Sequence, residues 1–286
     1  MKNLFIASIM LQVVLSAVNV SAQDTTKTWK TGGAIGINLS QVGLKNWSAG
    51  GENSLAVNGL ITLFANMKNN KISWDNTLDL GYGIIKQGDN PFRKSDDKII
   101  LTSKFGREAI AHWSYSALLD FRTQFAKGYD YNTSPKTLIS EFMSPAYITL
   151  SLGAEYKPND HFFALISPIT GKSTIVLSDT LSEAGAYGVK KGDNMRNEFG
   201  WLVNSAYKRT LMEGIDFQTK LNLFSSYKDL KHIDINWENL LLLKVNKYVS
   251  SSVSTQLIYD NDIKDTDGKA KWQFKEVIAV GLLYNF

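Results

Sequence analysis

The sequence predicts an all-β protein: a closed antiparallel transmembrane β-barrel of about 12 strands, preceded by a cleavable signal peptide. Three observations predict it. Apolar and polar residues alternate with a period of two through most of the chain. Short and long connections alternate between the periodic segments, and aromatic residues gather at both segment ends. Composition agrees, since 286 residues include 7 Trp, 12 Tyr, 14 Phe and 21 Gly but only 5 Pro. Aromatic and β-branched residues suit a pleated surface.

The chain opens on an address. Lys2 supplies a positive charge, Leu4 to Val18 is apolar apart from Ser8, Gln12 and Ser16, and Val20-Ser21-Ala22 offers a small-residue cleavage site. Residues 1–22 are therefore expected to be a signal peptide and residues 23–286 the barrel. Nothing after Ala22 approaches the roughly 18 consecutive apolar residues of a spanning helix.

Each strand follows from its alternation. In the last segment Trp272, Phe274, Ile278, Val280, Leu282, Tyr284 and Phe286 share one face with Glu276; Gln273, Lys275, Ala279, Gly281 and Asn285 share the other. The same split places Ile72, Trp74, Leu78, Leu80 and Tyr82 opposite Ser73, Asp75, Thr77 and Asp79. It separates Trp113, Tyr115, Leu119 and Phe121 from Ser114, Ser116, Asp120 and Arg122. Phe224, Leu240 and Leu242 are exceptions, lying on polar faces. Segments begin near residues 29, 53, 71, 96, 111, 143, 160, 196, 214, 233, 249 and 272. Long connections are expected at 44–52, 86–95, 127–142, 168–195, 228–232 and 261–271. An even strand number with five short turns and six longer loops places the turns and both termini on the periplasmic side. A secreted sandwich also alternates, but these strands are too long for one, and closure removes their exposed edges.

Several segments carry a family likeness. "NWSAGGENS" (46–54), "DNTLDLGYGIIKQG" (75–88), "FRKSDDK" (92–98), "FRTQFAKGYDY" (121–131), "SPAYITLSLGAEYKPN" (144–159), "SPITGK" (167–172), "INWENLLLLKVNKY" (235–248) and "QLIYDND" (256–262) resemble the Bacteroidota family catalogued as domain of unknown function 3078. That resemblance implies an outer-membrane barrel and no particular activity. The ending Leu282, Tyr284, Phe286 is similar to the C-terminal signal read by the barrel-assembly machinery, which is expected as a partner alongside outer-membrane lipids.

Chemistry-bearing patterns are sparse. Zero cysteines exclude a thiolate metal site and a Cys nucleophile, and a net charge of +4 gives no reason to expect nucleic acid. "SPITGKST" (167–174) holds a Gly-Lys-Ser, yet a phosphate loop needs Gly where Ile166 stands, so a loop or strand edge is expected. Asp260, Asp262, Asp265, Asp267 and Gly268 form an acidic loop without the register of a calcium hand, so no metal or cofactor is expected. His232 has Asp229, Asp234, Ser225 and Ser226 near it in sequence, without a nucleophile motif. His112 and His161 follow short turns and fall at the periplasmic end. In "NWSAGGEN", Gly50 and Gly51 favour a shaped outer loop and Trp47 a headgroup anchor.

Inward-facing charge is the better clue. With aromatic faces toward lipid, Asp75, Asp79, Asp120, Glu198 and Glu238 point into the lumen together with Lys98, Lys104, Arg122 and Lys244. Lys208, Asp216, Lys220 and Asp234 follow the same rule. Arg93, Asp96 and Asp97, with Lys94 and Lys98, form a rim cluster where an outer loop meets its strand: a binding site or a salt-bridged strand entry. The lumenal charges either line an aqueous passage or pair across and plug a narrow interior. The expected function is an outer-membrane barrel that binds or passes a small solute or lipid without catalysis. The alternatives are a lipid-modifying enzyme with its site at the rim, and a sealed structural or adhesive barrel.

Overall fold

In a computed structural model the described residues are 29–44, 51–263 and 269–286. The signal peptide, Trp47, Gly50, Asp265, Asp267 and Gly268 lie outside them. Twelve strands close into an antiparallel barrel: β1 (Trp29–Val42), β2 (Ser54–Asn69), β3 (Ile72–Gln87), β4 (Arg93–Ile110), β5 (Trp113–Thr123), β8 (Ala146–Tyr156), β9 (Phe162–Ile175), β10 (Met195–Met212), β11 (Ile215–Ser226), β12 (Asp234–Lys244), β13 (Val249–Tyr259) and β14 (Gln273–Asn285). β6 (Gly128–Asp130) and β7 (Thr137–Ser140) form a separate hairpin within the β5–β8 connection.

Neighbours in sequence are neighbours in the barrel, and β14 closes onto β1. Tight turns at one end explain the hairpin registers. Asn70, His112 and Gly214 adopt positive φ (47°, 67° and 77°), the left-handed geometry that two-residue hairpins need. Closure gives each strand a hydrogen-bonded neighbour on both sides, the arrangement by which sheet crosses a bilayer. The outer face is apolar: Leu150, Ile166, Ile169, Phe199, Ile278 and Leu282 are all more than half exposed. A soluble fold would bury such residues. A closed barrel wearing an apolar belt is an outer-membrane barrel.

Two long connections are folded. The 176–194 segment holds a short helix, α1 (Asp179–Glu183), and a 3-10 turn at Ala186–Gly188. Val176, Leu181 and Val189 are buried together there, with Leu138 of β7 and Tyr187 packed against them. The Tyr187 hydroxyl donates to the Ile139 carbonyl at 2.5 Å. The β6–β7 hairpin and the 176–194 segment are thereby joined at the outer end of the barrel.

One expectation is corrected. The 168–195 loop begins later, because β9 continues to Ile175. Pro168 sits in a bulge where the β9 register shifts against both β8 and β10. Proline cannot donate to a ladder, so a bulge accommodates it and the strand resumes beyond. The neighbouring wall is glycine there: a Cβ on Gly153 would run into the Ile166 carbonyl.

Candidate functional site

Register parity decides which side chains enter the lumen. Asp75 stands opposite Lys104, Asp120 opposite Thr102 and Thr149, and Thr149 opposite Lys172, which in turn faces Glu198. The aromatic partners Trp74 and Phe105 occupy the other face. Past the Pro168 bulge, Thr170, Lys172 and Thr174 turn inward, so "SPITGK" delivers a lumenal lysine from a strand, not from a phosphate-binding loop.

Apolar side chains fill part of the interior. Leu118, Leu165, Leu202 and Phe224, from β5, β9, β10 and β11, meet inside the wall and are at most 4 % exposed. Phe224, an exception to the alternation in sequence, is thus an inward core residue. Toward the short-turn end, the Lys104 ammonium meets Glu155 and lies 3.9 Å from the Phe163 ring centroid. Asp75 is further off, at 4.0 Å.

Outward of this cluster lies a cavity of about 570 Å³, within the range of ligand pockets. Lys98, Asp120, Arg122, Tyr147, Lys172 and Asp234 line its walls, Leu202 and Phe224 line part of it, and Ile139 and Tyr187 border it from the joined loops. Its charges form two groups. Arg122 Nε donates to Asp120 Oδ1 at 2.6 Å, and Arg122 Nη1 lies 3.9 Å from Glu238 of β12. Lys172 Nζ donates to Asp234 Oδ2 at 2.5 Å and lies 3.9 Å from Asp260, while Arg196 donates to Glu198 at 2.8 Å and to Asp262.

Asp234, Asp260 and Asp262 bring carboxylate oxygens within 4.8 Å of one another. Their cationic positions are filled by Lys172 and Arg196, so the acidic loop turns two of its carboxylates inward onto the barrel's own cations. Burial pushes the Asp260 carboxyl above its ordinary range, with Lys172 opposing. Burial likewise pushes the Tyr187 phenol up to about 12.

The remaining sequence-selected residues scatter. Asp79 accepts from the Thr62 hydroxyl at 2.6 Å. Lys98 lines the cavity, and Asp96 accepts from Lys275 at 2.6 Å. Asp97 lies on the opposite face of β4 from Asp96 and Lys98, across from Tyr82. It accepts from Lys94 at 3.0 Å and from the backbone N–H groups of Phe125 and Ala126 at 2.7 and 2.8 Å, tying down the β5–β8 connection. Arg93 stacks over Tyr131 at 4.3 Å and donates to Asn90. Lys244 pairs with Asp216 at 2.6 Å near the short-turn end, remote from the cavity. His232 Nδ1 lies 2.7 Å from Asp229 Oδ2 on the exposed β11–β12 loop.

Sequence reasoning passed over Lys172, Arg196, Glu155, Lys275 and Tyr147. A usable signal existed for Lys172: Pro168 marks a bulge, and skipping one residue there restores the alternation through Thr170, Lys172 and Thr174. Glu155 was readable by parity with Tyr147, Thr149 and Ser151. Nothing in sequence could show that Lys275 and Asp96 meet.

The fold and its lumen define the class: an outer-membrane β-barrel with a charged cavity in its outward half. Residues 39–129 match the family model described as "Protein of unknown function (DUF3078)". No curated protein matches the chain. Among solved structures it is similar to an outer-membrane channel of Pseudomonas putida F1, at 10% identity and a TM-score of 0.43, over 94% of this chain and 100% of that one. The translocator domain of the autotransporter NalP from Neisseria meningitidis follows at 11% identity and 0.39, covering 99% and 96%. The outer-membrane channel DcaP of Acinetobacter baumannii gives 9% and 0.35, covering 93% and 100%.

Proposed function

We propose that this barrel takes up a small polar solute from the outer side into its lumenal cavity and passes it inward, without covalent chemistry. The observation that carries the reading is the 570 Å³ cavity, open between charged walls and bordered by two joined loops. Arg122 and Lys98 supply donors for an anionic group, and Asp234 and Asp120 acceptors for a cationic one. Solutes carrying both signs are the natural occupants, because each bound charge then replaces part of an existing pair. Passage requires the Leu118–Leu165–Leu202–Phe224 cluster or the space beside it to yield.

A sealed structural barrel is the second reading, favoured by ion pairs that cross the interior. Conductance of the refolded protein in planar bilayers separates the two. Steps whose ion selectivity changes in Arg122→Ala and Lys98→Ala support a solute path. A silent bilayer, with heat-modifiable migration proving the fold, removes it.

For assembly, the exposed outward side chains of Leu282, Tyr284 and Phe286 are the surface we assign to the assembly machinery. Phe286 also pairs its backbone with Gly33, at 2.9 and 3.0 Å, and so completes the closure. Deleting Phe286 is expected to lower outer-membrane yield in cells.

A further inference from the structure

The barrel is closed unevenly. β1 pairs with β2 along fourteen residues but with β14 along only six, Ala34–Leu39 against Val280–Asn285. Two more hydrogen bonds between Gly33 and Phe286 extend the seam inward, and among the described residues none of the ladder extends outward. Continued register would set Ser40 against Ala279 and Gln41 against Ile278, yet neither pair forms. Ser40, Gln41 and Val42 are exposed on both faces of β1. On the β14 side, Gln273 to Ala279 pair through β13 alone.

The unzipped stretch reaches membrane depth. The six steps from Phe286 to Val280 rise ~15 Å at barrel tilt, against an apolar band of about 25 Å, so the outer ~10 Å of the band faces a seam unpaired among the described residues. The lipid-facing flanks there are apolar, with Leu39 54 % and Ile278 65 % exposed. Above them, Glu276 and Gln41 interrupt the lipid face with polar side chains. A carboxylate on that face is tolerated near the interface and costly at the midplane. Apolar flanks beneath a polar notch match the outline of an amphiphile. Unpaired strand backbone facing hydrocarbon costs free energy, which a barrel keeps only where something else occupies the gap.

Behind the notch, Lys275 on the lumenal face of β14 reaches Asp96 of β4. Gln273, two residues further along the same face, already lines the cavity. The seam, the Lys275–Asp96 pair and the cavity are therefore contiguous.

We propose that the outward half of the β1–β14 seam is a lateral portal, through which the acyl chain of an outer-leaflet amphiphile enters the lumen, with Lys275–Asp96 as its inner latch. This rests on reading the lumen as a ligand compartment, and it adds to the polar solute a second occupant with a polar head and an apolar chain.

The test uses the chain's lack of cysteine. The full barrel is reconstituted in vesicles containing phosphatidylcholine with a photoactivatable diazirine on one acyl chain, and labelled residues are mapped by mass spectrometry. Label is expected on lumen-facing Asn38, Ser40 and Val277 as well as lipid-facing Leu39 and Ile278. In Ser40→Cys/Ala279→Cys, oxidation should abolish the lumenal label, leave the outer-face label, and be reversed by reductant. Lys275→Ala, which needs no new bond to form, should increase the lumenal label. Label confined to the outer face overturns the portal, as does lumenal label indifferent to the crosslink or to Lys275→Ala. Conductance of the same preparations reports the compartment separately: a conducting barrel without lumenal label discards the portal alone, and a silent barrel with it discards the polar-solute path alone.

Discussion

Lys275 of β14 donates to Asp96 of β4 at 2.6 Å although β1, β2 and β3 stand between those strands around the wall. The pair therefore spans a chord of the lumen and not a rung of the sheet. Lys172 of β9 with Asp234 of β12 is another such chord, at 2.5 Å. Cross-lumen pairs brace the outward half, whereas the lower interior is braced by leucine and phenylalanine.

Lys275→Ala should cost little stability. Both side chains keep substantial solvent access, at 42 % and 26 %, and pairs of that kind contribute about 0–1 kcal/mol. The expected outcome is an unfolding midpoint in urea close to the parent's together with a changed single-channel record.

Lys104→Ala should be far more damaging. Glu155 is 5 % exposed and would be left as a buried charge without its ammonium partner, and stranding one member of a buried pair costs about 3–5 kcal/mol. Urea unfolding in vesicles measures this. Adding Glu155→Gln should return a large part of the loss; a double variant no better than the single would refute the pairing.

Leu202→Ala removes side-chain volume from the inner cluster, where Leu202 is 2 % exposed. Such truncations cost about 2–5 kcal/mol through lost burial and the void left behind. Because this cluster fills part of the lumen, the same variant should also raise conductance. Lower stability with unchanged conductance would show that the path bypasses it.

Asp260 gives a pH dependence of defined sign. Its folded carboxyl is raised by burial, so the folded state holds the proton more tightly than the unfolded chain does. The contribution is present below the unfolded value of about 3.9 and is lost as pH rises through the higher folded value. Relative to Asp260→Asn, the parent should thus lose stability as pH climbs out of the acid range toward neutrality. A difference that grows with pH instead would contradict the assignment.

Tyr187 should keep its hydrogen bond to Ile139 throughout the neutral range, since burial holds its phenol near 12. The contribution is full below the ordinary phenol value of about 10 and fades through 12. Tyr187→Phe should loosen the joined loops by about 1 kcal/mol, visible as faster amide exchange across residues 128–140 and 176–194.

Much of the barrel was legible. Strands foreseen near 29, 53, 71, 96 and 111 begin at Trp29, Ser54, Ile72, Arg93 and Trp113, because the period of two reports directly which face meets an apolar surround. The signal failed at Pro168, where a bulge shifted the phase and hid Lys172, and in the long connections, whose short β6, β7 and α1 form only by packing on one another. Parity could place Asp96, Asp97 and Lys98 on their faces; it could not say that Asp97 ties down residues 125 and 126.

By itself, the sequence determined what local alternation encodes: strand number, facing and the outer-membrane class. Tertiary structure decided what depends on chord length and strand tilt. Side chains four strands apart meet across the lumen only once the barrel's girth is set, as Lys275 and Asp96 do. The seam's six-residue pairing likewise follows from how the last strand meets the first, a relation that no window of sequence contains.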